Sequence, residues 1–198
     1  VSVRKVVEGR FTSEVLSEAV PAVVGKMSFP RMMRWGGGRH NWIRPVHSVI
    51  CLLDGLVVPF SLFGVETGRT TFGHRTLAPG RIVVTGVDDY LAKLRAAFVE
   101  PDYGVRRRVL AEKAEALAAE AGGTAVDDPV LLDTLGHLVE WPGLIRGSFD
   151  AAYLELPEEI LVTAMREHQK VLPTRDASGA LGAHFLAVAD HTGDPKGH

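Results

Sequence analysis

The feature that most constrains the fold is the pair Asp54-Gly55, which stands between two apolar, β-branched runs at 44–53 and 56–63. Such a pair predicts a β-hairpin, because a type I′ turn needs a positive φ at both of its central residues. A second turn sequence, Asp176-Ala177-Ser178-Gly179, also separates two apolar runs and predicts another hairpin. Two hairpins indicate a sheet that is mainly antiparallel.

Helical periodicity accounts for much of the remaining chain. The clearest helix is 103–121, whose apolar residues recur along one stripe and which Gly122-Gly123 ends. Asp127 or Asp128, followed by Pro129, predicts the start of the next helix. The other predictions are helices over 12–25, 88–97 and 157–169, a loop over 30–41, and strands over 70–72, 81–85, 170–175 and 181–189. We expect an α+β fold, a single domain over 1–198, with a helical insertion at 103–140.

Several classes of protein are excluded by what the sequence lacks. Its single cysteine, Cys51, excludes a disulfide framework and every multi-cysteine zinc motif. The sequence contains no nucleophile elbow and no phosphate-binding glycine loop. It also contains no pair of histidines at the spacing that places two metal ligands on one face of a helix, so we expect no bound metal. The apolar runs fall far short of the roughly 20 residues that span a bilayer, which predicts a cytoplasmic protein with no membrane contact.

The charges are unevenly distributed along the chain. The formal net charge is −2, yet residues 1–75 carry ten Lys or Arg and five Asp or Glu, which gives +5. Residues 76–198 carry twelve and nineteen, which gives −7. This asymmetry predicts one surface that faces anions.

A cluster of cations and aromatic rings falls within the positive part. Arginine side chains bind phosphates, and unstacked bases lie on aromatic or guanidinium planes, so the cluster predicts contact with RNA or phosphate. The alternative is that the tryptophans anchor the core while the arginines pair with carboxylates. The cluster comprises Arg31, Arg34, Trp35, Arg39, His40, Trp42 and Arg44, with three glycines at 36–38.

Five further residues have polar side chains suited to binding or catalysis. His74-Arg75 follows a predicted strand and adds a cation and a titratable donor, although a solvated strand-end turn explains the pair equally well. His168 and Lys170 close a predicted helix, where cations also complement the helix dipole. Glu140 stands beside Trp141 at an abrupt helix end and suits an ion pair with an arginine.

Six short stretches stand in a fixed order along the chain. They are Met32-Met33-Arg34-Trp35-Gly36, Arg44-Pro45-Val46-His47, Gly73-His74-Arg75, Leu138-Val139-Glu140-Trp141-Pro142, Leu156-Pro157 and Met165-Arg166-Glu167-His168-Gln169-Lys170. In this order and spacing they resemble the β subunit of the bacterial heterotetrameric glycyl-tRNA synthetase. The resemblance covers about residues 22–198.

The resemblance implies an internal fragment of a longer chain, from the body region of that β subunit. This region is similar to the editing-type domain of the phenylalanyl-tRNA synthetase β chain. The implied partners are tRNA(Gly) and an α subunit in an α2β2 tetramer. The α subunit carries the class II site that uses ATP and magnesium, so we expect no cofactor in this fragment.

The function that we expect is a tRNA-binding and scaffold module with no catalytic residue of its own. The residues expected to contact RNA or another domain are Arg31, Arg34, Trp35, Arg39 and Arg44, then His74, Arg75 and Lys170. One alternative is an aminoacyl-tRNA deacylase pocket, which requires His74, Glu140 and His168 to converge in one cleft. The other is a purely structural domain for subunit assembly.

Overall fold

The computed structural model describes residues 8–190, and the chain divides into two compact units. Unit 1 is Val1–Gly73 with Pro79–Lys93, and unit 2 is His74–Ala78 with Leu94–His198. The fold is α+β, as predicted, with small, mostly antiparallel sheets. The single domain stays a prediction, because two compact units are compatible with one domain or with two.

Unit 1 is built from very short strands in four small sheets, β1–β2, β3–β7–β6, β4–β5 and β8–β9. All pairs are antiparallel except β3 with β7. The elements are α1 (Thr12–Lys26), β1 (Met33–Trp35), β2 (His40–Trp42), β3 (Val49–Ile50), β4 (Leu52–Leu53), β5 (Leu56–Val57), β6 (Ser61–Leu62), β7 (Val65–Gly68), β8 (Thr70–Phe72), β9 (Arg81–Val83) and α2 (Val87–Ala96), whose last turn belongs to unit 2.

The Asp54-Gly55 turn is confirmed. Both residues have a positive φ, +50° and +76°, and β4 and β5 pair on either side of them. The flanking strands are much shorter than predicted, because the chain changes partner within each run. β3 pairs with β7, whereas β4, two residues later, pairs with β5.

Unit 2 is one four-stranded antiparallel sheet, in the order β10–β12–β13–β11, with helices. The turn at 176–179 joins β12 to β13 as predicted, and the Asp176 carboxylate accepts from the Ser178 and Ala180 amides. The elements are α3 (Tyr103–Glu120), β10 (Thr124–Ala125), α4 (Pro129–Gly136), β11 (Gly143–Ser148), a 3₁₀ turn (Ala151–Glu155), α5 (Glu158–Thr163), a π-helical turn (Ala164–Gln169), β12 (Val171–Arg175) and β13 (Leu181–Ala189).

Two aspartates begin the helices of unit 2. The Asp102 side chain accepts from the Val105 amide at 3.1 Å, and Asp128 accepts from the Leu131 amide at 2.9 Å. Each therefore satisfies an amide that a helix leaves open in its first turn. The segment 103–140 holds both helices and also β10, an edge strand of the sheet, so helices make up only part of it.

The core of unit 2 lies between α3, α4 and the sheet. Leu110 on α3, Leu135 on α4 and Leu186 on β13 are fully buried in one apolar cluster. Helix and sheet each bury an apolar face there, which is the principal stabilising interaction of an α+β layer.

Two leucines of the same helical region provide a test of this core. Leu135→Ala removes a side chain with 0% exposure, and we expect it to lower the free energy of unfolding by about 2–5 kcal/mol. Leu138→Ala truncates a leucine that is 61% exposed, and we expect a change of about 0.5 kcal/mol or less. Urea unfolding of both variants measures the difference, and equal losses would contradict the proposed core.

Candidate RNA-binding surface

The segment predicted as a loop over 30–41 forms a hairpin instead, so that prediction is wrong. β1 and β2 pair antiparallel, with Trp35 opposite His40 and Arg34 opposite Asn41. The strands are only three residues long, which is too short to show a period in the sequence. The glycines at 36–38 form the turn, and all three have a positive φ, from +61° to +79°.

One face of this hairpin packs against the ring of Phe63. The ring centroids of Trp35 and Trp42 lie 5.7 and 5.0 Å from that of Phe63, and Phe29 contacts Trp42 edge-on at 5.0 Å. The tryptophans are half-buried by these contacts. This geometry favours the alternative in which Trp35 anchors the hairpin.

The other face and the ends of the hairpin carry cations. The Arg34 side chain lies on the face of the hairpin opposite the Trp35 side chain, because side chains alternate along a strand. Arg31 precedes β1, Arg39 ends the turn, and Arg44 follows β2. We call these four exposed residues, Arg31, Arg34, Arg39 and Arg44, the arginine surface.

The guanidinium groups of the arginine surface have no polar partner among the residues that the structure describes. Within residues 8–190, none of the four makes a hydrogen bond or approaches a carboxylate within 4.0 Å. By contrast, five arginines of unit 2 form ion pairs with carboxylates within these residues. The pairs are Arg95–Glu100, Arg107–Asp133, Arg108–Glu112, Arg166–Asp128 and Arg175–Glu158. The donors of the arginine surface are therefore open to an external anion.

His74 is buried in unit 2, with 2% exposure. Its Nδ1 accepts from the amides of Thr76 and Leu77 at 3.2 and 3.1 Å, so the ring proton lies on Nε2. Nε2 lies 3.1 Å from Asp190 Oδ2. This position leaves no ring face for RNA, whereas the neighbouring Arg75 is exposed.

Asp190 links His74 to the turn that contains Glu140. Its Oδ1 accepts from the backbone amides of Glu140 and Trp141 at 2.6 and 3.1 Å. The Glu140 side chain is exposed and, within residues 8–190, makes no ion pair with an arginine. Asp190 thus has a positioning role that the sequence alone did not reveal.

His168 and Lys170 lie at the end of the π-helical turn. His168 is exposed and lines a shallow depression with Glu159, Ile160 and Thr163, whose lining includes neither His74 nor Glu140. The three histidine and glutamate side chains of the deacylase alternative are therefore not gathered in that depression. The Lys170 ammonium lies 3.4 Å from the Glu167 carboxylate, so this cation is already paired.

Neither a metal cluster nor a membrane-spanning helix is found in the described part of the chain. Within residues 8–190, no three or more His, Cys, Asp and Glu side chains are grouped so that they could hold a metal ion. Over the same residues, no helix is long and apolar enough to cross a membrane.

Known proteins similar to this chain belong to one family. The sequence model of the family described as "Glycyl-tRNA synthetase beta subunit" matches residues 1–197. The Glycine--tRNA ligase beta subunit of Desulforudis audaxviator (strain MP104C) is 41% identical over 94% of this chain and 27% of that protein. The same subunit of Ruegeria sp. (strain TM1040) is 40% identical over 92% and 27%. That of Oleidesulfovibrio alaskensis is 41% identical over 96% and 28%.

These matches confirm the resemblance drawn from the six motifs. The chain belongs to the glycyl-tRNA synthetase beta subunit family. It spans about a quarter of the length of the curated relatives that it matches.

The glycine turn of the hairpin provides a second test. An added Cβ on Gly36 would lie 2.9 Å from His40 Cδ2, whereas one on Gly37 would meet nothing within 4 Å. Both residues have a positive φ, so alanine at either position causes a similar backbone strain. Only Gly36→Ala also brings a Cβ into contact with the His40 ring. We expect Gly36→Ala to lower the free energy of unfolding by about 1–3 kcal/mol more, since His40 is packed against Trp35. Equal losses in urea unfolding would contradict this packing.

The Glu100 carboxylate provides a test that depends on pH. It is buried, and its hydrogen bonds from the Arg95 guanidinium hold its pKa below the usual range. A lowered pKa in the folded state stabilises the fold above the unfolded pKa of about 4.3, and this contribution disappears as pH falls through the lowered value.

We therefore expect Glu100→Gln to be less stable than the parent chain at pH 7, by a margin that shrinks between about pH 5 and pH 2. Urea unfolding across this range measures the margin. Glu115→Gln, at an exposed position of the same unit, is the control and should change stability little at pH 7. A margin for Glu100→Gln that stays constant as the pH falls would contradict the assigned ion pair.

Proposed function

We propose that this segment is a tRNA-contacting and scaffold part of a glycine–tRNA ligase beta subunit. The complete enzyme would join glycine to tRNA(Gly) with ATP and magnesium in the cytoplasm. An α subunit of an α2β2 tetramer would provide the catalytic site. The single observation that carries the RNA-binding role is that the arginine surface has no carboxylate partner within residues 8–190.

The local charge supports a polyanionic partner. Residues 27–75 contain six arginines, no lysine and only two carboxylates, Asp54 and Glu66. Arginine presents several N–H donors in a planar fork that matches phosphate oxygens, and its guanidinium also stacks on bases. A local excess of such groups attracts RNA over a distance and binds its phosphates on contact.

The packing of the hairpin supports the same role. Trp35 and Trp42 fix the hairpin to Phe63, so the arginines start from a backbone that is already ordered. Ordering a flexible loop on binding costs conformational entropy, which this arrangement avoids for the backbone. Trp35 packs on the face of the hairpin opposite Arg34. Arg75, in unit 2, is a further exposed cation.

Helix α1 supports the scaffold role. None of its residues is buried within the part of the chain that the structure describes, and Val15 and Val23 are 44% and 62% exposed. Phe11, at its N-cap, is 75% exposed. Exposed apolar side chains in this number mark contact with other protein surface, which the rest of the beta subunit or the α subunit would supply.

We also propose that this region resembles the editing-type domain of the phenylalanyl-tRNA synthetase β chain in fold. We do not assign it that domain's hydrolytic role. Glycine has no smaller amino acid that a synthetase would need to reject. The burial of His74 and the separate position of His168 also argue against a shared site for a water nucleophile.

Removal of three arginines tests the RNA-binding role. In the intact ligase, we expect the triple substitution Arg34→Ala, Arg39→Ala, Arg44→Ala to weaken tRNA(Gly) binding by about tenfold or more at 0.15 M salt. The slope of log affinity against log salt should fall by about 0.7–0.9 for each phosphate that the variant no longer binds. Filter binding over a range of salt concentrations measures both quantities, and size-exclusion chromatography checks that the enzyme still assembles.

Arg108→Ala is the matched control, since Arg108 is exposed but lies 3.8 Å from Glu112 in unit 2. It should leave tRNA affinity and salt dependence unchanged. If the triple variant assembles and binds tRNA as tightly as the parent enzyme, with the same salt dependence, the RNA-binding role is wrong and the scaffold role remains.

A further inference from the structure

A groove of about 200 Å³ lies in unit 1, outside the arginine surface. It is lined by residues of β3, β7, β8 and β9 and by the two residues before β3. The lining combines one aromatic ring, charges of both signs and two hydroxyl groups. The aromatic ring is that of Phe72, the charged groups are Glu66 and Arg81, and the hydroxyl groups are those of Ser48 and Thr70. The imidazole of His47 completes the polar lining.

The pairing of β8 with β9 arranges part of this lining. Phe72 lies directly opposite Arg81, so the two side chains leave the same face of the hairpin side by side. Thr70 precedes Phe72 by two residues and shares that face. Phe72 is 44% exposed although it is large and apolar. An exposed ring beside a guanidinium group suits the stacking of a nucleobase.

The charged groups of the groove do not neutralise one another. Glu66 and Arg81 line the same small space, yet they lie more than 4.0 Å apart, and neither forms an ion pair within residues 8–190. His47 is exposed and likewise has no ion pair there. A cation and a carboxylate kept apart in one groove fit a ligand with an anionic group and a hydrogen-bond donor at separate positions.

We propose that this groove binds one unpaired nucleotide of RNA. The base stacks on Phe72, the phosphate binds Arg81, and a base amino group donates to the Glu66 carboxylate. His47 follows Arg44 by three residues, which is at most about 10 Å of extended chain, so RNA on the arginine surface reaches the groove. The inference rests on the proposed RNA-binding function, because it takes the same polymer as the ligand.

The chemistry of Glu66 also predicts which base is preferred. An ionised carboxylate accepts hydrogen bonds and donates none. Cytosine presents an amino donor at the position where uracil presents a carbonyl acceptor. The groove should therefore prefer cytosine to uracil, since the uracil oxygen would face the carboxylate without a proton between them.

Two labelled oligonucleotides test the proposal on the full-length beta subunit. Fluorescence anisotropy at 0.1 M salt compares pentacytidylate with pentauridylate, and we expect the former to bind about tenfold more tightly. Phe72→Ala should weaken both by about tenfold through the loss of stacking. Glu66→Gln should bring the two affinities together, because an amide both donates and accepts.

Matched controls separate the groove from general effects. Leu91→Ala truncates an apolar side chain of unit 1 that is 40% exposed and lies outside the groove, and Asp54→Asn neutralises a carboxylate in a turn that tolerates asparagine. Neither should alter oligonucleotide affinity or base preference. Thermal unfolding of each variant confirms that the chain stays folded.

Three results would overturn the proposal: equal affinity for the two oligonucleotides, no effect of Phe72→Ala, or displacement of both probes by a free amino acid. The last would assign the groove to a small zwitterion. These outcomes are distinct from failure of the proposed function. If the triple arginine variant loses tRNA affinity while the oligonucleotides give any of these results, the RNA-binding role stands and only the groove is wrongly assigned.

Discussion

The packing of Phe63 against two tryptophans is the interaction on which the arginine surface depends. Phe63 has a φ of +55°, and together with Gly64 it turns the chain between β6 and β7. A bulky residue in this conformation carries strain of about 1–3 kcal/mol, so its surroundings must hold it there. Trp35 and Trp42 provide that support. The same contacts hold β1 and β2 in place, with the face of the hairpin that carries Arg34 directed away from the Phe63 ring.

The ring of His40 adds a second condition to this cluster. It occupies the space that a Cβ would take on both Gly36 and Gly64, at 2.9 and 3.1 Å. Two turns of the chain must therefore lack side chains at those points for the cluster to close. Glycine at these two positions is therefore favoured by packing as well as by the backbone angles.

The arginines of the described residues serve in two different ways. In unit 2, arginines join elements that are far apart in sequence, as in the contacts of Arg107 with Asp133 and of Arg166 with Asp128. In unit 1, the four guanidinium groups of the arginine surface extend from the hairpin without a carboxylate partner within residues 8–190. Within residues 8–190, the arginine surface therefore keeps its charge available to a ligand, whereas Arg10 of unit 1 and five arginines of unit 2 pair with carboxylates.

Local signals in the sequence predicted a good part of the fold. The Asp54-Gly55 turn and the helix start at Asp128-Pro129 depend on the residues of a single turn, and both were confirmed. The β1–β2 hairpin was missed because alternation over three residues on each side of three glycines resembles a loop. The burial of His74 was also beyond prediction, since its surroundings include Asp190, more than a hundred residues away in sequence.

The proposed function places RNA on the arginine surface of the intact ligase. Ultraviolet cross-linking of the intact ligase with tRNA(Gly), followed by mass spectrometry of the digested protein, tests it most directly. We predict nucleotide adducts on peptides from residues 31–44, where arginine and aromatic side chains are close together. Adducts confined to other parts of the enzyme, with residues 31–44 recovered unmodified, would contradict it.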